Sequence, residues 1–183
     1  MRFGSPKALA DIYGTSVIGH LQKVLIDSKV HDIVIVLGDH REKIRPHLLN
    51  HKKIKVVYNK DYKLGQTSSL KAGLQSISRQ ACGFMLLPVD FPLIKRETID
   101  ELVREFCANK HRILIPAHHD KRGHPPIFNI ALKDTVMNMS NDVGVNTLEH
   151  QRESETFLYA VADPGVVSTF NTPKEFEELK TLL

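Results

Sequence analysis

The stretch Gly83-Phe84-Met85-Leu86-Leu87-Pro88-Val89-Asp90-Phe91-Pro92 decides how this chain must fold. Its first half is an unbroken apolar run, which is how a strand covered by helices on both faces reads. Two prolines then bracket a single carboxylate. In open parallel sheets ligands bind outside the carboxyl ends of the strands, and Asp90 stands at such an end.

The pattern repeats on both sides. Downstream, Glu97 to Ala108 reads as a helix with Ile99, Leu102, Val103 and Phe106 on one face, and Arg112-Ile113-Leu114-Ile115 is a strand stopping at Pro116. Upstream, Thr67 to Ser78 is an amphipathic helix with Leu70, Leu74 and Ile77 inward. Before it comes Ile54–Tyr58, a strand nearer the sheet edge because Lys55 interrupts it. Ile33–Leu37, closed by Gly38, is a further buried strand, and Ser16 caps a helix from Val17 to Ser28. Arg41 to Leu49 forms a short helix interrupted at Pro46. This alternation predicts right-handed βαβ units in a Rossmann-like three-layer αβα fold with a mostly parallel sheet.

Past Pro116 the pattern loosens into the polar segment His118 to Pro126. Extension is expected over Ile127–Ile130, helix over Ala131–Met139 and over Val143–His150, and a last strand over Thr156–Val161. Thr172-Pro173-Lys174-Glu175 opens the final helix with a capping box.

A length of 183 residues suits one domain, residues 1–183, and 42% hydrophobic with 25% charged residues excludes a disordered or fibrous chain. The net charge of +4 suits an anionic small ligand, but the basic residues are scattered, so no nucleic acid partner is expected. No apolar run approaches 18 residues and the start carries no apolar signal core, so a membrane partner and secretion are not expected and the cytoplasm is. Cys82 and Cys107 lack metal-ligand spacing and sit beside apolar neighbours, which predicts buried free thiols in a reducing compartment.

Several polar residues can carry chemistry. Asp90 can hold Mg2+ between the phosphates of a nucleotide, or can cap a turn. Lys7, after Gly4-Ser5-Pro6, can meet a phosphate, though neither a P-loop nor GxGxxG is present. Asn59, Gly65 and Thr67-Ser68-Ser69 can bind a base, ribose or phosphate at a helix start, or simply cap it. His118, His119 and His124 match no structural zinc spacing; His124, held between Gly123 and two prolines, fits acceptor recognition better. Asp142 and Asn171 can be caps or can reach the same cleft from the C-terminal half.

Taken in order, Arg2-x-Gly4-x-Pro6-Lys7, Asn59-x5-Gly65-x2-Ser68-Ser69-Leu70-x2-Gly73-Leu74, Leu87-Pro88-Val89-Asp90-x-Pro92, Arg122-Gly123-His124-Pro125, Asn141-Asp142-x-Gly144 and Asn171-Thr172-Pro173-x-Glu175 resemble the MobA-like NTP transferases over nearly the whole chain. Gly-His-Pro and the serine pair resemble the molybdenum cofactor cytidylyltransferase branch. The resemblance implies a nucleoside triphosphate (CTP in that branch, with GTP or another NTP open), Mg2+ and a phosphorylated acceptor, molybdopterin, joined with release of pyrophosphate. It implies that Lys7 contacts the triphosphate beside Arg2, that Gly4 ends the phosphate loop, and that Asp90 binds the metal. It assigns Asn59, Gly65, Ser68 and Ser69 to the base and ribose, His124 and Asp142 to the acceptor side, and Asn171 to the closing motif. Thr169 stands where that motif commonly has a further acidic or amide residue. The family pattern also starts with an apolar strand and glycine loop, and this chain enters only at the residues that close that loop. A sugar phosphate or other phosphorylated alcohol is the alternative acceptor, and a silent nucleotide-binding domain the alternative of another class. No residue signals a molybdoenzyme or chaperone partner.

Overall fold

A computed structural model describes residues 3–12 and 14–182; Arg2, expected in the site, lies outside them. In chain order the elements are β1 (Asp11–Ile12), β2 (Thr15–Ser16), α1 (Val17–Asp27), β3 (Ile33–Leu37), α2 (Arg41–Ile44), β4 (Ile54–Tyr58), α3 (Gln66–Leu74) and β5 (Gly83–Met85). They continue with α4 (Arg96–Asn109), β6 (Ile113–His118), β7 (Lys121–Arg122), β8 (Ile127–Asn129), α5 (Lys133–Asn138), α6 (Asn146–Gln151), β9 (Thr156–Ala160) and α7 (Pro173–Lys180).

The three layers follow from period-2 alternation on the strands. Ile113 and Ile115 of β6 join Phe84, Phe128, Leu74, Leu132 and Leu148 in one core, while Leu114 and Ile127 turn to the opposite face and meet α1, α4 and α7 through Val17, Leu21, Ile99, Phe106 and Phe176. Each face of the sheet is thus sealed by its own helices.

The main sheet contains a reversal. β8, expected only as an extended stretch, inserts between β5 and β6 and runs antiparallel to both, so β5 and β6 share a direction without touching. β9 pairs with β6 in parallel, and β3 pairs with β4 in parallel as a separate ladder. β6 also runs through Pro116 instead of stopping before it. The Pro116 carbonyl accepts from Gly123 N at 2.8 Å. A strand residue's N–H and C=O point to the same edge, so the missing N–H falls in the gap between β8 and β7, where no ladder bond is lost. α3 ends at Leu74, earlier than its periodicity predicts.

The two cysteines depart from expectation: both are free and exposed. Cys107 follows the buried Phe106, and one residue along a helix rotates the side chain by about 100°. Apolar sequence neighbours on a helix therefore do not imply burial.

A buried carboxylate organises the C-terminal half. Asp163 accepts from Lys95 N (2.9 Å), Thr98 Oγ1 (2.7 Å) and Gly165 N (2.9 Å). It pins the turn Pro164–Val167 against the start of α4, and Gly165 packs so closely on the Leu93 backbone that a Cβ would lie 2.6 Å from its carbonyl carbon. We expect Asp163→Ala to lower the unfolding free energy by about 3 kcal/mol, since three donors lose a buried acceptor. Urea denaturation reads this, and a change below about 1 kcal/mol would show that the turn is held by packing alone.

Candidate active site

Asp90 lies in the loop that leaves β5, and the strand end that launches it is fixed by Leu86 N donating to Pro126 O at 3.1 Å. From the far end of the sequence, Lys7 meets it. The Lys7 ammonium donates to Asp90 Oδ2 and to Asn171 Oδ1, each at 2.9 Å. Three residues predicted for the site from separate motifs therefore converge on one point.

Each is placed by local chemistry. Lys7 opens a single 3-10 turn, Lys7–Leu9, whose end is closed by Ala10 N donating back to Lys7 O. Its ammonium also lies 5.5 Å from the centre of the Phe170 ring, which is fully buried against Phe176 and Phe3. Asn171 stands just before α7. Thr172 and Glu175 form the expected capping box there, and Glu175 Oε2 additionally accepts from Asn171 N at 2.6 Å. Gly4 keeps a positive φ of 74° in the exposed turn leading to Lys7, a conformation that suits glycine.

His124 joins the same region. Its backbone N–H donates to Val166 O at 2.7 Å, its peptide bond to Pro125 is cis, and its ring lies 4.4 Å from the Phe91 ring, beside Asp90. A Cβ on Gly123 would meet Val166 O at 2.5 Å, so only glycine admits this approach. His124 Nδ1 is buried with no hydrogen-bond partner among the described residues. Burial holds the ring pKa below its ordinary value, against the opposing pull of the Leu86 backbone and the Asp90 charge. The neutral ring is the resting form.

The other predicted residues form a second cluster. Asn59 Nδ2 donates to Ser68 Oγ (2.9 Å) and Ser69 Oγ (3.1 Å), and Asn59 Oδ1 accepts from Asp61 N (2.9 Å). Ser68 Oγ in turn donates to the Asp61 and Gly65 carbonyls. Asn59 and Ser68 are buried and their bonds are spent on shaping the loop before α3. Gly65, at φ 106°, backs onto the Asn141 carbonyl, and the Thr67 hydroxyl donates to Val143 O. Asp142 is exposed in that neighbouring loop; its carboxylate accepts from the Ser140 hydroxyl, which holds its pKa below the usual range. Among the described residues no hydrogen bond joins this cluster to Lys7, Asp90 and Asn171. His118 and His119 meet edge to face, with His118 Nδ1 against Val161 O. Thr169 is exposed.

Phe91, Phe170 and Asp163 were not singled out by sequence reasoning. Asp163-Pro164-Gly165 carries the signal that finds one of them, an aspartate opening a Pro-Gly turn.

Chemically, a carboxylate and an amide oxygen gather a cation, and here a lysine ammonium fills the position. Oxygen donors of this kind suit a hard divalent ion. No group of three or more His, Cys, Asp or Glu side chains able to hold a metal occurs among the described residues. No helix is long and apolar enough to cross a membrane among the described residues.

Comparison with known proteins agrees with this architecture. The profile of the MobA-like NTP transferase domain family matches residues 1–156. The chain is 24% identical over 116 residues to the bifunctional protein GlmU of Streptomyces avermitilis, covering 63% of this chain and 24% of that one, so it spans about a quarter of that curated relative's length. Among solved structures, Rv0371C of Mycobacterium tuberculosis H37Rv in complex with manganese superposes with a TM-score of 0.81 at 21% identity, covering 100% of this chain and 95% of that one. The molybdopterin-guanine dinucleotide biosynthesis protein A of Archaeoglobus fulgidus gives 0.70 at 16% identity, with 99% and 92% covered. The 4-diphosphocytidyl-2C-methyl-D-erythritol synthase of Anaerococcus prevotii gives 0.76 at 13% identity, with 97% and 92% covered.

The depressed pKa of His124 has a pH signature. The unfolded ring, with its ordinary value of 6.5, takes up a proton before the folded one does, so this group's stabilising contribution is full above 6.5 and is lost as pH falls from there toward the folded midpoint. In an NMR titration the His124 ring should show a midpoint below 6.5. Between about pH 7.5 and about pH 5.5 the wild type should lose more thermal stability than His124→Gln; equal losses would place the ring in a solvated environment.

Proposed function

The chain belongs to the MobA-like NTP transferase domain family, and we propose that it is a nucleotidyltransferase that moves a nucleotidyl group from a nucleoside triphosphate to a phosphorylated small molecule of the sugar-phosphate or phosphorylated-alcohol class. The observation that carries this reading is the convergence of Lys7, Asp90 and Asn171 on one cation position. Residues 1–183 would act as one domain, in the cytoplasm, where nucleoside triphosphates are free.

A narrower form is cytidylyl transfer from CTP to molybdopterin. It draws on Gly123-His124-Pro125 and the serine pair Ser68-Ser69, and on likeness to a molybdopterin-guanine dinucleotide protein. A likeness of similar degree to a synthase of a methylerythritol derivative supports the broader acceptor class.

In the reaction, an acceptor phosphate oxygen attacks the α-phosphorus in line and pyrophosphate leaves. Asp90, with Asn171 beside it, would hold Mg2+ or Mn2+, which supplies charge to the phosphate oxygens. Lys7 then gives up Asp90 and carries its positive charge to the triphosphate, where charge grows as the bond to pyrophosphate breaks. His124, neutral and fixed by its backbone bond to Val166, orients the acceptor next to Phe91. The Asn59–Ser68–Ser69 cluster shapes the loop over which base and ribose would lie, with the Ser69 hydroxyl the group best able to donate.

The first test is pyrophosphate release from CTP, GTP, ATP and UTP with Mg2+ or Mn2+, against molybdopterin and a panel of sugar and alcohol phosphates. Turnover with a sugar or alcohol phosphate supports the main reading. Turnover with CTP and molybdopterin alone selects the narrower one, and nucleotide binding without turnover on any acceptor points to a silent domain.

Lys7 and Asp90 should then behave in opposite ways toward metal. Lys7→Met should bind Mn2+ without nucleotide about tenfold more tightly than the wild type, because the ammonium no longer competes for Asp90, and should lose turnover by about a hundredfold or more. Asp90→Asn should lose both. Weaker Mn2+ binding by Lys7→Met, measured by calorimetry or electron paramagnetic resonance, would remove the competition from the scheme.

A further inference from the structure

We propose that Cys82 and Cys107 are a redox modification site, closing into a reversible intramolecular disulfide that braces the segment carrying Asp90. This inference is independent of the transferase reading and uses none of its residues.

Both thiols are free and exposed. Cys82 immediately precedes β5, where its carbonyl accepts from Ile130 N at 3.0 Å and fixes the backbone. Cys107 lies in the last turn of α4. Strand and helix touch at the residues next to them, for a Cβ on Gly83 would lie 2.7 Å from the Phe106 ring. The Cys82 side chain is near enough for its charge and its thiol to act on Cys107. Partial desolvation, then the charge and the thiol of Cys82, push the Cys107 thiol pKa up.

The oxidant is a hydroperoxide. The first thiol attacks its O–O bond and becomes a sulfenic acid as an alcohol, or water from hydrogen peroxide, leaves. The second thiol then attacks the sulfenic sulfur; the S–S bond forms, the S–O bond breaks and water departs. Two thiols lose two protons and two electrons, and the peroxide is reduced by the same two electrons. A dithiol reductant reopens the bridge by exchange. The closed loop would contain β5, the Pro88–Pro92 turn and most of α4, so the unfolded chain would lose freedom while Lys7, Asp90 and Asn171 stay untouched.

The test treats the full chain with stoichiometric hydrogen peroxide. The expected product is lighter by about 2 Da, yields a Cys82–Cys107 linked peptide on digestion without reduction, melts roughly 5–10 °C higher than the reduced chain, and reverts with dithiothreitol. Cys82→Ser and Cys107→Ser, both at exposed positions, should show no such rise. The proposal is overturned by an oxidised wild type that contains only sulfinic or sulfonic acids or intermolecular dimers, by a bridge that dithiothreitol does not reopen, or by a linked form that melts no higher than the reduced chain.

Discussion

The carboxylate of Asp163 is the constraint on which the rest depends. It is buried, and it takes donors from the approach to α4, from α4 itself and from its own turn. That turn supplies the Val166 carbonyl to which His124 is bound, and the chain leaving it runs through Phe170 into Asn171. Two of the groups that face Asp90 therefore depend for position on one acceptor that is itself remote from them. Removing a buried acceptor leaves several donors unpaired at once, which costs more than the bonds gain in water.

The Lys7–Asp90 pair is a different kind of contact. Each side chain keeps about a quarter of its surface in solvent, 25% for both, where an ion pair contributes little to folding. Its importance is placement: it holds an ammonium and a carboxylate together at the end of a strand. The neutral state of His124 follows the opposite logic, since burial opposes charge there even with Asp90 near.

Much of this was legible in the sequence. The apolar run before Asp90 announced a covered strand, and its position past that strand made it a candidate; the capping box of α7 read directly from Thr172-Pro173-Lys174-Glu175. What was not legible came from contacts between distant parts of the chain. Nothing local in Lys7 reveals that its partner is 83 residues away. Three residues, Ile127 to Asn129, are too few for periodicity to say which strands they separate or in which direction they run. The same limit hid the role of Asn59, whose amide looked available for a ligand and is instead bonded to two serines of its own loop. Family likeness supplied the order of the motifs, and geometry separated those that meet Asp90 from those that build the second cluster.

The insertion of β8 between β5 and β6 also sets a timetable for synthesis. The last residue of β5 is Met85 and its partner is Ile127, so 42 further residues must be made before that ladder can begin to form. At ribosomal speeds of about 5–20 residues per second this is roughly 2–8 s during which an apolar strand waits with an unpaired edge. Asn171 emerges later still, after β9 has been laid against β6. In the growing chain every residue of the sheet is thus made before the last residue of the cation position.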